Sequence, residues 1–249
     1  MADPGGRSAQ SSRAPSGRRD GADLSRPELP ADTDVSELDR EVRTELSTLP
    51  KGLADLVGSH LVAVGRVLDE DPQLALAHAR FARSKASRVA AVREAAGLAA
   101  YHAGEWSEAL AELRAARRLG GAPGCLAVLA DCERALGRPE RALEIARSPE
   151  AAQLGAEEAI ELRIVAAGAR RDLGQFDAAV VALQGQDLET VGTEPWRARL
   201  RYAHADNLLA AGRAQDALRW FVAAAEADAD EATDAAQRAI ELSERPELR

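Results

Sequence analysis

Large aromatic side chains are scarce in this 249-residue chain: Phe, Tyr and Trp make up 3% of it, while its hydrophobic content is 46%. That excludes a thick core built on rings and leaves alanine as the chief apolar residue. Alanine has the highest helix propensity and lets helix axes approach closely. Runs of Val, Ile, Thr and aromatics in period-two alternation are also missing; the nearest, residues 178–183, sits inside a helical pattern. An all-α class with essentially no β structure is expected.

No stretch reaches the ~18 apolar residues of a membrane span. The first thirty residues lack the apolar h-region of a secretory signal. Both point to a cytoplasmic protein with no membrane partner. Only two cysteines occur, Cys125 and Cys132. Seven residues apart on a helix, they stand roughly 10 Å apart along the axis, too far for a mutual disulfide. They share a stripe with Leu129, which reads as core in a reducing compartment.

Lysine is nearly absent as well: Lys51 and Lys85 are the only two, and every other basic residue is arginine. With 41 acidic against 32 basic residues the formal net charge is −9, which opposes a phosphate backbone and an anionic membrane surface alike. On composition, a nucleic-acid partner is therefore not expected.

Catalytic and metal motifs are not found. Gly120 to Gly124 is glycine-rich but follows a helix and lacks the Gly-Lys-Ser/Thr ending of a phosphate loop, so it reads as an inter-repeat turn. His60, His78, His102 and His204 fall on four different predicted helices, none paired at the i, i+4 spacing that offers two imidazoles to one metal. Asp69-Glu70-Asp71 precedes Pro72, which is the pattern of an N-cap followed by a first-turn proline. No cofactor, metal or catalytic residue is assigned, and the chain is read as a non-enzyme.

What the chain does contain is periodicity. Residues 1–33 are rich in Gly, Pro, Ser and Arg and read as a disordered tail. Val35, Leu38, Val42, Leu46 and Leu49 then recur at helical spacing, predicting an amphipathic helix over 34–49 that stops before Pro50. From residue 50 onward, helix-breaking turns recur around Glu70, Gly104, Gly137, Gly174 and Gly212, at intervals of 34, 33, 37 and 38 residues. Five residues after each anchor stands alanine: Ala75, Ala109, Ala142, Ala179 and Ala217. Next come Leu76, Leu110, Leu143, Val180 and Leu218. Seven residues before each anchor the side chain is small: Ala63, Gly97, Ala130, Ala167 and Ala205. Small groups at two fixed points let paired helices touch, while the larger residue fills the space between neighbouring pairs. Trp106 and Phe176, two residues after their glycines, are expected to plug the gaps between repeats. A final helix within 230–243, with Ala232, Ala235, Ala236, Ala239 and Ile240 inward and Glu231, Asp234, Arg238 and Glu241 outward, reads as a polar cap.

This register resembles the tetratricopeptide repeat, a helix–turn–helix unit of about 34 residues with a small residue in its first helix and alanine in its second. The best match runs from Ala96 to Leu110 and closes with Ala116. The resemblance covers about residues 51–230. The family's first-helix tryptophan is missing, Pro149 and Gln186 stand where the late alanine belongs, and the long intervals after Gly137 and Gly174 imply extended loops. In its Ala/Arg richness and its Leu-Asp-Glu-Asp-Pro phrase the chain also looks like tetratricopeptide proteins of high-GC actinobacteria.

The resemblance implies a right-handed α-solenoid of about five helix hairpins over 50–243, with first helices lining a concave groove. Groove-facing offsets select Glu94, Tyr101, His102, Asp131, Arg134, Glu161, Arg171, Arg199, Tyr202 and Asp206. Of these, Tyr101, His102, Arg134, Arg171, Arg199 and Tyr202 are the candidates for binding another protein or a peptide segment, tyrosines giving contact area and arginines pairing carboxylates. The lysine/asparagine clamp with which some family members hold a C-terminal carboxylate is not visible. Three alternatives stay open: helix 34–49 occupies the groove itself, the protein is a ligand- or nucleic-acid-responsive regulator, or an enzyme site is assembled across repeats.

Overall fold

The computed structural model describes residues 26–120, 125–190, 192 and 194–245. The expected tail up to residue 25 and most of the Gly120–Gly124 turn lie outside the described residues. Among those described the protein is all-α, with thirteen α-helices and no strand.

The helices pack mostly as sequential pairs: α2 (Lys51–Val67) with α3 (Pro72–Ala86), α4 (Ala90–His102) with α5 (Trp106–Arg118), and α6 (Leu126–Ala135) with α7 (Pro139–Ala146). The series continues with α8 (Ala156–Asp172) and α9 (Phe176–Leu183), then α11 (Pro195–Ala210) and α12 (Ala214–Ala227). The first helices also touch in succession, α2 to α4 to α6 to α8 to α11.

All five sequence anchors fall at the corners of these pairs. Gly104, Gly137, Gly174 and Gly212 have φ between +72° and +77°, a left-handed conformation that glycine adopts without a Cβ penalty. Each ends its helix in the same way. The glycine N–H donates to the carbonyl three residues back, and the next N–H donates to the carbonyl five residues back, as with Gly104 to Tyr101 and Glu105 to Ala100. Those two bonds form the Schellman motif and satisfy otherwise unpaired carbonyls. The α2/α3 corner is made by other means: the Asp71 carboxylate accepts from the Leu74 N–H at 3.0 Å, and Pro72 opens α3.

The small-residue register lies at the helix contacts. Of its fifteen positions, fourteen are buried and only Leu218 is half-buried. At Gly97 a Cβ would stand 2.5 Å from Leu113 Cγ, so α4 and α5 touch at glycine itself.

Several expectations need correction. The predicted helix over 34–49 is broken into a 3-10 turn at Val35–Glu37 and a short α1 (Arg40–Leu46), because Asp34 caps the turn through Ser36 and Leu38 is extended. Its apolar residues Leu38, Val42, Leu46 and Leu49 dock with Val57 and Leu61 of α2, Ala82 of α3 and Val92 of α4, a cluster that contains none of the six candidate groove residues. The extended loops are not bare: Pro149 opens a 3-10 turn (Pro149–Gln153) and Gln186 opens a short α10 (Gln186–Glu189). Phe176 is 40% exposed and plugs nothing. Trp106 meets the Tyr101 ring at 5.4 Å, whereas the position equivalent to Tyr101 beside Phe176 is Arg171, which turns toward Asp206.

The last helix, α13 (Ala235–Ser243), is shorter than the predicted 230–243. It buries Ala235, Ala239 and Leu242, while Ile240 is exposed. Arg238, expected on the outer face, instead lies over the Phe221 ring at 4.9 Å and pairs with Asp206 at 3.1 Å.

Candidate functional site

Four of the six candidate residues, Arg134, Arg171, Arg199 and Tyr202, line one cavity of about 300 Å³ between α8 and α11, together with Ile164 and Asp206. Tyr101 lines a neighbouring cavity of about 340 Å³ between α6 and α8, with Val128, Asp131, Glu157, Glu158, Glu161 and Val165. The sixth, His102, is elsewhere: it lines neither cavity, and its Nδ1 lies 3.8 Å from Asp69 beside the α2/α3 corner. At helix position 102 the side chain is rotated about 100° from Tyr101, enough to leave the shared face.

The two cavities are joined by a ladder of polar contacts between successive first helices. The Tyr101 hydroxyl on α4 donates to Asp131 of α6 at 2.7 Å. Arg134, one turn further along α6, donates to Asp131 at 2.7 Å and to Asp172 of α8 at 2.8 Å. Arg171 of α8 pairs with Asp206 of α11, and Asp206 in turn holds Arg238 of α13. Arg199 of α11 reaches back to Glu161 of α8 at 2.7 Å. Tyr101, Arg134 and Arg171 stand at the same offset from their corner glycines, and Asp131 and Asp206 also share an offset, so the rungs follow the repeat.

This arrangement changes what the arginines do. The expectation was that Arg134 and Arg171 present free guanidinium groups to a partner. Both instead hold carboxylates of the next helix, and each donor engaged there is unavailable until the internal pair opens. The tyrosines are fixed likewise. Burial, followed by the Asp131 hydrogen bond, raises the Tyr101 hydroxyl well above its ordinary range. Burial, followed by Asp234, pushes Tyr202 up to about 12. Both remain protonated donors at neutral pH.

Charge is graded along the row. The Tyr101 cavity has four carboxylates on its wall: Asp131 and Glu161 are held closely by arginines, Glu157 is exposed and 3.8 Å from Arg199, and Glu158 is exposed. The next cavity has three arginines against one carboxylate. Val128, Val165 and Ile164 supply the apolar floor.

Sequence reasoning missed one pair altogether. His60 and His78 are both buried, with their Nδ1 atoms 2.9 Å apart across the α2/α3 hairpin. They lie ten residues before and eight after the corner, and near-equal distance from a hairpin corner is the signal that could have found them. Two imidazoles alone do not make a metal cage, and no group of three or more His, Cys, Asp or Glu placed to hold a metal occurs among the described residues. Cys125 and Cys132 are buried as expected, with Cys125 Sγ donating to Glu94 at 3.3 Å. No described helix is long and apolar enough to cross a membrane.

Comparison of the chain with protein-family models and with curated proteins finds no match. The reading of the site therefore rests on its geometry.

Proposed function

We propose that the chain is a cytoplasmic protein-interaction scaffold of the tetratricopeptide type. It is a right-handed solenoid of five helix pairs closed by α13, and it acts by binding a segment of another protein on its first-helix face rather than by catalysis. The observation that carries this reading is the pair of neighbouring cavities, acidic between α6 and α8 and arginine-lined between α8 and α11, above an apolar floor. Volumes of about 300 Å³ each suit one or two side chains, at the lower end of ligand pockets, and a row of such pockets suits a chain rather than a compact metabolite.

The charge gradient adds a direction. A fitting segment places a basic residue flanked by an apolar one at Glu157 and Glu158, and a carboxylate at the second cavity. Neighbouring helix axes lie about 10 Å apart, a span of about three residues of extended chain. The internal ladder keeps the first helices in register, so the face is formed before the segment arrives and little ordering cost falls on the scaffold.

A peptide-display selection against the full chain tests this. Enriched sequences should carry Arg or Lys beside an apolar residue with a carboxylate about three residues away, and should lose at least about tenfold in affinity, ~1.4 kcal/mol, on Glu157→Lys/Glu158→Lys. Both positions are exposed and the one ion pair lost, Glu157 with Arg199, is long at 3.8 Å, so that variant keeps the fold. Peptides that bind it as well as they bind the parent chain would remove the assignment.

A further inference from the structure

A third cavity, of about 310 Å³, lies away from the first-helix face, among α7, the 3-10 turn that follows it, α8 and α9. Its origin is in the sequence. In both pairs around it the second helix is cut short: α7 and α9 have eight residues where α5 has thirteen. Five missing residues leave about 7.5 Å of helix unbuilt, and the chain turns aside at Pro149 and Gln184 instead of filling the space.

The lining differs from that of the two first-helix cavities, which both carry carboxylates. Leu143, Leu162 and Ala182 supply an apolar wall, and Arg147, Arg163 and Arg170 stand around it with no carboxylate in the lining. Several arginines of the earlier second helices meet acids: Arg80 with Glu108, Arg83 with Glu112, Arg114 with Glu133. Here Arg147 and Arg170 form no ion pair among the described residues. Arg163 spends only Nη1, on Asp187 at 3.1 Å, while its Nε and Nη2 are buried without a hydrogen-bond partner. Buried guanidinium donors left unsatisfied are costly. In a chain of net charge −9, three arginines around an apolar recess, with Asp187 on Arg163 as their one carboxylate partner, leave positive charge that suits an anion.

We infer that this cavity binds a small anionic amphiphile: a carboxylate head held by Arg163, with Arg147 and Arg170 at the mouth, on a short aliphatic body lying against Leu143, Leu162 and Ala182. A turn of the Arg163 side chain, whose Nε and Nη2 are enclosed as they stand, would bring these two orphaned donors to a bidentate carboxylate, and the aliphatic body would occupy the volume that the shortened helices leave. The site shares no residue with the first-helix face, so it stands or falls independently of the scaffold reading.

Calorimetric titration of the full chain with decanoate, and with decanol and decylamine as uncharged and cationic counterparts, is the test. Decanoate should bind saturably, one per chain, and decanol and decylamine at least tenfold more weakly. Arg163→Gln should weaken decanoate at least tenfold, and Ala182→Phe should abolish binding by filling the recess. Arg163 also anchors Asp187, so the double variant Arg147→Gln/Arg170→Gln, which breaks no internal pair, keeps the test decisive if Arg163→Gln fails to fold. It should weaken decanoate at least threefold. No saturable binding of decanoate, equal binding of decanol, or an affinity unchanged in the double variant would overturn the inference.

Discussion

Replacing glycine by alanine in a helix ordinarily stabilises it, so Gly97 and Gly65 make a sharp pair. Both are helical, Gly97 in α4 and Gly65 in α2. At Gly65 an added Cβ meets nothing within 4 Å, and Gly65→Ala should gain about 0.5–1 kcal/mol from reduced chain entropy alone. At Gly97 the same atom would stand 2.5 Å from Leu113 Cγ, 2.7 Å from Cδ2 and 3.1 Å from the Leu113 backbone nitrogen. Carbon contacts are normally 3.5–4.0 Å. Leu113 is 1% exposed and has nowhere to turn, and the backbone nitrogen behind it means that α5 itself must retreat. Overpacking of this kind costs about 1–3 kcal/mol against a propensity gain of about 1 kcal/mol. The balance for Gly97→Ala is a net loss of about 1 kcal/mol, opposite in sign to Gly65→Ala. Urea unfolding followed by far-ultraviolet circular dichroism, with the midpoint shift multiplied by the slope, reads both. A Gly97→Ala protein as stable as Gly65→Ala would refute the claim that α4 and α5 meet at that glycine.

The ladder yields a further expectation: a double-mutant cycle on Arg134 and Asp172, whose side chains are 21% and 35% exposed, should give a coupling of about 0.5–1 kcal/mol that shrinks as salt is raised; zero coupling at low salt would remove the rung. Stability should fall as pH drops from 6.5 to 4. Burial, then the neighbouring His78 and Arg26, lowers His60 to about 4, and burial, then Arg213, lowers His204 to about 4. The unfolded chain thus takes up protons that the folded one refuses, at up to about 3 kcal/mol per histidine; an unfolding midpoint flat across that window contradicts it. Both thiols are pushed up to about 12, mainly by burial, so native Cys125 and Cys132 should resist iodoacetamide at neutral pH and react only on unfolding. Rapid labelling of the folded protein would count against their burial.

Much of this fold was legible because its constraints are local and repeat. A left-handed corner selects glycine, and a close helix contact selects a small side chain, so Gly104, Ala109 and Gly97 announce their roles within one repeat. The site was legible only in part. Tyr101, Arg134, Arg171, Arg199 and Tyr202 lie on successive first helices, but what holds them is a matter of pairs 30 to 38 residues apart, such as Tyr101 with Asp131 and Arg134 with Asp172. Those pairs depend on the lateral offset between neighbouring helices, which a single repeat does not encode. Arg238 was misplaced for a related reason. Periodicity alone placed Ile240 inward and Arg238 outward, and the contact of Arg238 with the Phe221 ring belongs to the neighbouring helix.

The most direct test of the scaffold reading asks where a bound segment lies. A photoreactive residue placed at Val165, on the floor of the acidic cavity, can be compared with one at Val181, which is 63% exposed on α9. A peptide selected against the full chain should cross-link from Val165 and not from Val181. Cross-linking from Val181, or equally from both, would contradict binding on the first-helix face.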